Sequence, residues 1–168
     1  MKKLSLEKTA QEIRRHKRFL ITTHTSPEGD AIGSEMAFLR LLRKLKKRAV
    51  IVNQDPVPEE YAFFCAKEKF FLFDRKIRKM KFDCMAVLDC ADLNRTGEVH
   101  KVNSGGKPVI NIDHHVGNTY FGKANLVDPE ASCACELVYR LYKEMLVPLD
   151  RFSALALYVG MMTDTGSF

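Results

Sequence analysis

The chain has 168 residues, which is enough for one domain with a sizeable core and too few for two complete ones. Its composition, with 46% hydrophobic and 29% charged residues, is typical of soluble globular proteins. The longest apolar run, residues 152–162, is too short to cross a bilayer, and the basic N-terminal residues precede no apolar segment. We therefore expect neither a transmembrane protein nor a signal peptide, but a cytoplasmic protein.

The net charge of +6 comes largely from three basic stretches, residues 14–18, 43–48 and 75–81. A polyanionic partner such as a nucleic acid is one interpretation of this charge. However, each stretch lies near the end of a helix-like segment, where cations favour the helix dipole and cover a solvated face. The sequence leaves both interpretations open.

Five cysteines occur, an odd number, and no two of them form a Cys-x-x-Cys pair. This pattern favours neither a disulfide framework nor a zinc–thiolate site. We expect reduced core residues at these positions, which are Cys65, Cys84, Cys90, Cys133 and Cys135.

Hydrophobic periodicity predicts strands that alternate with helices along the chain. The predicted helices are 5–15 with Ser5 as N-cap, 31–45, 59–66, 132–146 with Ser132 as N-cap, and 150–162. The last helix is apolar on nearly all sides, so we expect it to be buried. The predicted strands are 19–23, 49–52, 70–73 at an edge, 82–88, 108–112 and 125–127. This order predicts an α/β fold, namely a doubly wound, mainly parallel sheet with helices on both faces.

Three predicted strands end in side chains that ligate metals or move protons. Strand 19–23 is followed by His24, strand 82–88 by Asp89, and strand 108–112 by the sequence Asp113-His114-His115. In an open parallel sheet the ligand site lies beyond the carboxyl ends of the strands, so these groups are expected to share one crevice. Three more candidates come from the loop after His24 and from the end of the last helix: Glu28, Asp30 and Asp164.

Other residues near these strand ends suit an anionic ligand. The helix after Asp30 opens with small residues, and Gly33 and Ser34 are expected to leave backbone amides open to a phosphate group. The turn at residues 94–97 carries Arg95, whose guanidinium would lie near the same crevice. We predict that Gly33, Ser34 and Arg95 contact phosphate.

Four carboxylates and two imidazoles exceed what one ion needs and suit two divalent ions roughly 3.5–4 Å apart. A mixed nitrogen and oxygen set favours Mn²⁺, with Mg²⁺ possible and zinc left open. In such a site a metal-activated hydroxide attacks phosphorus. Asp113, His115 and Arg95 are then the candidate catalytic residues: His115 either protonates the leaving oxygen or contacts phosphate, unless it only orients Asp113 or the metals.

Four segments in order resemble the motifs of the DHH phosphoesterase superfamily, and most resemble its nanoRNase branch. They are His24-x-x-Pro27-Glu28-Gly29-Asp30-Ala31-x-Gly33-Ser34, Leu88-Asp89-Cys90-Ala91-Asp92, Asp113-His114-His115 and Gly160-Met161-Met162-Thr163-Asp164-Thr165. The resemblance implies Mn²⁺-dependent hydrolysis of short single-stranded RNA and of 3′-phosphoadenosine 5′-phosphate (pAp). It also implies metal-ligand roles for His24, Glu28, Asp30, Asp89 as the bridging ligand, His114 and Asp164.

The chain departs from the family pattern at two points. Glu28 stands where the family usually has aspartate, and the chain ends at Phe168, before the glycine-rich domain that holds substrate in relatives. We therefore expect a catalytic domain alone, which binds metal and turns nucleotides over slowly. Three alternatives stay open: a manganese pyrophosphatase, a cyclic-dinucleotide phosphodiesterase, and a non-catalytic nucleotide-binding module.

Overall fold

A six-stranded sheet forms the centre of the structure, a computed structural model that describes residues 2–65, 68–74 and 76–167. The strands are β1 (Arg18–Thr22), β2 (Arg48–Asn53), β3 (Phe70–Leu72), β4 (Cys84–Leu88), β5 (Val109–Asp113) and β6 (Ala124–Val127). Their order is β3-β2-β1-β4-β5-β6, and every neighbouring pair is parallel. The predicted α/β class with a parallel sheet is confirmed.

The sheet changes direction between β1 and β4. The chain runs outward from β1 through β2 to β3 and then returns to β4 on the other side of β1. β4 lies near the middle and is buried along its whole length, which explains its uninterrupted apolar sequence. The loops after β1 and β4 diverge at this point and leave a crevice, which is where open α/β sheets bind ligands.

The two faces of the sheet are covered differently. The α-helices are α1 (Lys2–Arg15), α2 (Gly29–Lys44), α3 (Ala62–Cys65), α4 (Ala134–Glu144) and α5 (Arg151–Asp164). All five contribute to one large core, together with side chains such as Ile21, Ala86 and Ile112 on one face of the sheet. The other face carries a smaller core, which includes Leu20 and Val87 and is covered by the 3₁₀ helices Ile77–Lys79 and Val99–Asn103. Helical segments thus lie on both faces.

Two predicted helix starts are wrong. α1 already begins at Lys2, so Ser5 lies inside the helix, where its carbonyl accepts a hydrogen bond from the Thr9 hydroxyl at 2.9 Å. α4 begins at Ala134 rather than at Ser132, whose hydroxyl donates to Glu136 at 2.9 Å. Its first amides are instead bonded by a carboxylate from another helix, described below, so a tertiary contact decides where α4 starts.

The predicted helix 59–66 is a 3₁₀ turn at Glu59–Tyr61 followed by the short α3, and Ala66 lies outside the described residues. The other predicted helices and strands are present with ends shifted by a few residues.

Helix α5 is less buried than its composition predicts. It packs against α2 and α4, whereas Phe152 and Tyr158 on its outer side are 41% and 53% exposed. Because the α2 side takes up only part of the helix surface, the remaining apolar residues face outward. Within the described ranges, none of the helices combines the length and the apolar content that a membrane span requires.

Candidate metal centre

The side chains predicted to bind metal meet at the crevice between β1 and β4. His24 follows β1 after one residue, Asp89 follows β4 directly, and His114 follows β5. His24 and Asp89 border a cleft of about 290 Å³, whose lining consists of His24, Thr25, Ser26, Glu28, Asp89, Arg95, His115 and Asp164. The cleft therefore combines three imidazoles or carboxylates at strand ends with an arginine on a neighbouring loop.

Asp89 is the central group of this cluster. Its Oδ2 lies 3.5 Å from Nε2 of His24, and its Oδ1 lies 3.7 Å from Nε2 of His114 and 3.7 Å from Nδ1 of His115. These separations are too long for good hydrogen bonds, and Oδ1 is buried without any hydrogen-bond partner. A buried carboxylate oxygen without a donor is costly unless a cation satisfies it, so the donor set fits a divalent metal ion.

The backbone of Asp89 supports the same interpretation. Its φ angle is +49°, in the left-handed region that residues other than glycine rarely adopt. Such a conformation costs on the order of 1–3 kcal/mol, and strain of this kind concentrates at functional sites. Here it turns the carboxylate from the end of β4 towards the imidazoles.

A second group of potential ligands adjoins the first. Ligand atoms of Asp30, His114 and Asp164 lie within 4.8 Å of one another, as do those of Asp89, His114 and His115. Nε2 of His114 is 3.5 Å from Oδ2 of Asp164. Because His114 belongs to both groups, the cluster has the arrangement expected for two neighbouring cations.

Asp30 is held rigidly at the start of α4. Its Oδ2 accepts the amide of Ala134 at 2.6 Å, and its Oδ1 accepts the amide of Cys135 at 2.9 Å. Burial and the nearby charge of Asp89 raise the pKa of Asp30 to about 6 despite these two hydrogen bonds. Gly160 leaves room for this geometry, since a Cβ there would clash with Sγ of Cys135 and lie 2.9 Å from Oδ1 of Asp30.

Hydrogen bonds also orient the imidazoles. Nδ1 of His24 bonds to the carbonyl of Thr25 at 2.7 Å, which leaves Nε2 directed towards Asp89. Burial lowers the pKa of His24, but the interactions with Asp89 and with this carbonyl outweigh burial, so the net pKa is raised.

Asp113 acts on His115 from beneath the cleft. It is fully buried, and its Oδ1 accepts a hydrogen bond from Nδ1 of His115 at 2.7 Å, while Oδ2 accepts one from Asn118 at 2.6 Å. Burial raises the pKa of Asp113, but the two hydrogen bonds lower it by more than burial raises it, so the net pKa is depressed. The same hydrogen bond raises the pKa of His115. Asp113 thus positions His115 and does not line the cleft itself.

Glu28 and Arg95 lie at the outer wall of the cleft. Glu28 is exposed just before α2, and it belongs to neither of the two ligand groups found among the described residues. The exposed Arg95 is placed by its own backbone, since its carbonyl accepts the amide of Thr25 at 2.8 Å. Both side chains thus line the cleft while remaining exposed.

Gly33 and Ser34 do not reach the cleft, so the predicted phosphate contacts at these residues are not supported. Both are buried inside α2: a Cβ on Gly33 would lie 2.5 Å from the carbonyl of Ala156, and the Ser34 hydroxyl donates to Ala31 at 2.9 Å. The small residues allow α5 to pack closely against α2. Asp92 likewise has a local role, because its Oδ1 accepts the Asn94 amide at 2.8 Å and caps a 3₁₀ helix.

Two residues that the sequence reasoning missed hold the loops of the cleft. Oε1 of Gln54 accepts the amide of Glu98 at 2.9 Å, in the segment that follows Arg95, and Oδ2 of Asp55 accepts the amide of Ser26 at 2.7 Å. Gln54 follows β2 directly, and Asp55 comes one residue later. The strand-end rule that identified His24 and Asp89 also applies after β2. Gln54 and Asp55 were passed over because amide and acidic residues are common in turns.

The parallel sheet, its crevice and the His/Asp cluster define a class of protein. Residues 18–161 match the DHH family, N-terminal domain, and the chain belongs to this family. The resemblance inferred from the motifs is confirmed.

Relatives with names support the same branch. The chain is 34% identical over 149 residues to the bifunctional oligoribonuclease and PAP phosphatase NrnA of Thermus thermophilus, a match that covers 88% of this chain and 43% of the relative. NrnA of Bacillus subtilis is 25% identical over 153 residues, covering 89% of this chain and 46% of that protein. The chain thus spans less than half the length of these curated relatives.

Solved structures agree on the fold. The crystal structure of an exopolyphosphatase-related protein from Bacteroides fragilis matches with a TM-score of 0.90 and 29% identity, over 99% of this chain and 51% of that one. RecJ of Thermus thermophilus, solved in complex with Mn²⁺, matches with a TM-score of 0.57 and 17% identity, over 95% of this chain and 24% of RecJ. The second likeness concerns the fold alone.

Proposed function

We propose that this chain is the catalytic domain of a cytoplasmic, two-metal phosphoesterase that hydrolyses short single-stranded oligoribonucleotides and pAp. The observation that carries this proposal is the buried Oδ1 of Asp89, which lacks a hydrogen bond and faces His114 and His115. The names of the NrnA relatives support the choice of substrates.

The proposed cofactor is a pair of Mn²⁺ ions, with Mg²⁺ as the alternative. When bound, such ions polarise phosphoryl oxygens and lower the pKa of water. The residues that would hold them are His24, Glu28, Asp30, Asp89, His114 and Asp164. Imidazole nitrogens favour Mn²⁺ over Mg²⁺ in a set otherwise made of carboxylates.

The chain's own side chains perform the remaining steps. The exposed guanidinium of Arg95 binds a non-bridging phosphate oxygen at the mouth of the cleft. His115, whose pKa is raised by Asp113, holds a proton at neutral pH more readily than a free imidazole and donates it to the leaving oxygen. Asp113 keeps the ring in this orientation through Nδ1.

The test combines metal binding with turnover. Calorimetric titration of the metal-free chain with Mn²⁺ should detect two sites, and His24→Ala should abolish one of them or weaken it at least tenfold. His16→Ala is the matched control, because His16 pairs with Glu12 at the opposite end of β1 and should leave both sites intact. With Mn²⁺ present, chromatography should detect adenosine 5′-monophosphate formed from pAp and mononucleotides formed from an RNA trinucleotide. A wild-type chain that binds no Mn²⁺ contradicts the proposal.

A further inference from the structure

Positive charge is concentrated at the amino-terminal ends of the strands, opposite the cleft. Five cations lie where β1 and β2 begin; we call them the basic rim, and they are Lys17, Arg18, Lys46, Lys47 and Arg48. They surround a cavity of about 460 Å³, in whose lining Asp83 is the acidic residue. Five cations thus face one carboxylate.

An adjoining cavity extends this surface along the sheet. It measures about 380 Å³ and shares Arg18 and Arg48 with the first cavity, and it adds Lys81 and Met80. Phe19 and Phe82 in its wall are buried, so among the described lining residues they offer no exposed ring on which a base could stack. The surface is therefore suited to phosphate groups rather than to bases.

The strand register brings two of these charges side by side. Arg18 and Arg48 are direct partners in the parallel register of β1 and β2, where strands are about 4.8 Å apart and like charges repel. Favourable interaction with the end of α2 accounts for Lys46 and Lys47, but not for arginines at strand starts. The contact between Arg18 and Asp83, at 3.8 Å, offsets only part of the repulsion.

Lys47 adds charge to the basic rim, but its side chain is tied to the backbone. Its Nζ donates to the carbonyls of Arg14 and His16, at 2.8 and 2.7 Å. Burial lowers the pKa of Lys47; the charge of Asp83 opposes this shift, and the charge of Lys17 adds to it. The exposed side chains of the rim, which are Lys17, Arg18, Lys46 and Arg48, are therefore the ones placed to contact phosphate.

We propose that the basic rim binds the phosphate backbone of single-stranded RNA at a surface separate from the catalytic cleft. The choice of RNA among polyanions rests on the proposed function. The rim and the cleft lie at opposite ends of β1. Arg18 starts the strand and His24 follows it, six residues further on, which corresponds to roughly 20 Å along a strand. A dinucleotide in the cleft does not reach the rim, whereas a longer strand does.

The experiment measures binding of a fluorescein-labelled 12-nucleotide RNA by fluorescence anisotropy, in EDTA and between 50 and 200 mM salt. EDTA prevents cleavage and leaves the acidic cleft repulsive to RNA. Arg18→Gln/Arg48→Gln should bind at least fivefold more weakly, and its log–log salt slope should fall by about 1.4, or about 0.7 for each lost phosphate contact. Lys143→Gln/Arg151→Gln removes the same charge from exposed positions on α4 and α5 and should change affinity less than twofold.

A second variant keeps the proposal testable if the arginines prove necessary for folding. Lys17→Gln/Lys46→Gln changes two exposed rim residues and should weaken RNA binding in the same direction. Thermal unfolding followed by circular dichroism is expected to show that neither rim variant loses stability, since like charges have been removed.

Equal losses in the rim and control variants overturn the proposal, as does wild-type affinity that is independent of salt. Phosphatidylglycerol vesicles that bind as tightly as RNA, with the same sensitivity to the rim variants, also overturn it. Hydrolysis of pAp should be unchanged in both rim variants. If the wild type binds RNA through the rim but hydrolyses nothing with Mn²⁺, the proposed function fails and this inference stands.

Discussion

The substitution Glu35→Gln should remove a loss of stability that the wild type undergoes as the pH rises. Glu35 is fully buried in α2; its Oε2 accepts a hydrogen bond from Asn53 at 2.8 Å, and its Oε1 has no hydrogen-bond partner. Burial raises the pKa of Glu35 to about 8; the hydrogen bond from Asn53 opposes this shift, and the charge of Asp89 adds to it. In the unfolded chain the same group has a pKa near 4.5.

The sign and size of the effect follow from proton linkage. Between pH 4.5 and 8 the folded chain keeps the Glu35 proton while the unfolded chain has lost it, so stability falls as the pH rises through this window. The free energy of unfolding decreases by about 1.4 kcal/mol per pH unit, or about 3–4 kcal/mol between pH 5 and pH 8. Glutamine cannot ionise, so the variant should lack this contribution and gain on the wild type as the pH rises.

Urea unfolding in EDTA at pH 5, 6, 7 and 8, followed by circular dichroism, measures the difference. Asp30 and the histidines titrate in both proteins, so their contributions cancel when the two curves are subtracted. Glu59→Gln is the matched control, because Glu59 is exposed and should give a curve parallel to the wild type. If Glu35→Gln and wild-type stabilities also run parallel from pH 5 to pH 8, the buried carboxyl group is not protonated as argued.

Substitutions at three further positions test contacts beside the cleft and between the helices. Gly160→Ala should weaken Mn²⁺ binding at least tenfold in calorimetry and destabilise the chain by about 1–3 kcal/mol, because the new Cβ clashes with Sγ of Cys135 and crowds Oδ1 of Asp30; unchanged affinity would contradict this. Gln54→Ala should raise KM for pAp several-fold by loosening the loop that carries Arg95, with Mn²⁺ affinity unchanged, whereas Gln54→Glu keeps the acceptor oxygen and should restore KM. Tyr142→Phe should lower the free energy of unfolding by about 1–2 kcal/mol without affecting turnover, because its buried hydroxyl donates to a carbonyl of α2; an unchanged urea midpoint would refute this role.

The strand ends could be predicted because the relevant signal is local. A short apolar strand followed by His24, by Asp89 or by Asp113-His114-His115 is visible within a few residues, and the rule for parallel sheets converts three such ends into one crevice. This local rule could not predict that Asp113 is buried and positions His115. It also could not predict that Gly33 is buried inside α2 and does not reach the cleft. Both depend on which segment packs above them.

Wrong expectations for the helices have the same origin. Ser132 is a reasonable N-cap by composition, but α4 begins two residues later because Asp30, 104 residues away, accepts its first amide. The apolar sequence of α5 predicts burial, yet Phe152 and Tyr158 face outward because the helix lies in the outer layer. Local propensity gives no information about a neighbour that is distant in sequence.

By itself, the sequence determined the alternation of strands and helices, the parallel sheet and the identity of most residues in the cluster, because these follow from hydrophobic periods and from residue types at strand ends. Only the tertiary structure decided that His114 lies in both ligand groups, that Oδ1 of Asp89 lacks a hydrogen-bond donor, and that Arg18 and Arg48 stand side by side. The physical reason is that burial and charge depend on strand register and helix packing, which bring together side chains far apart in the chain.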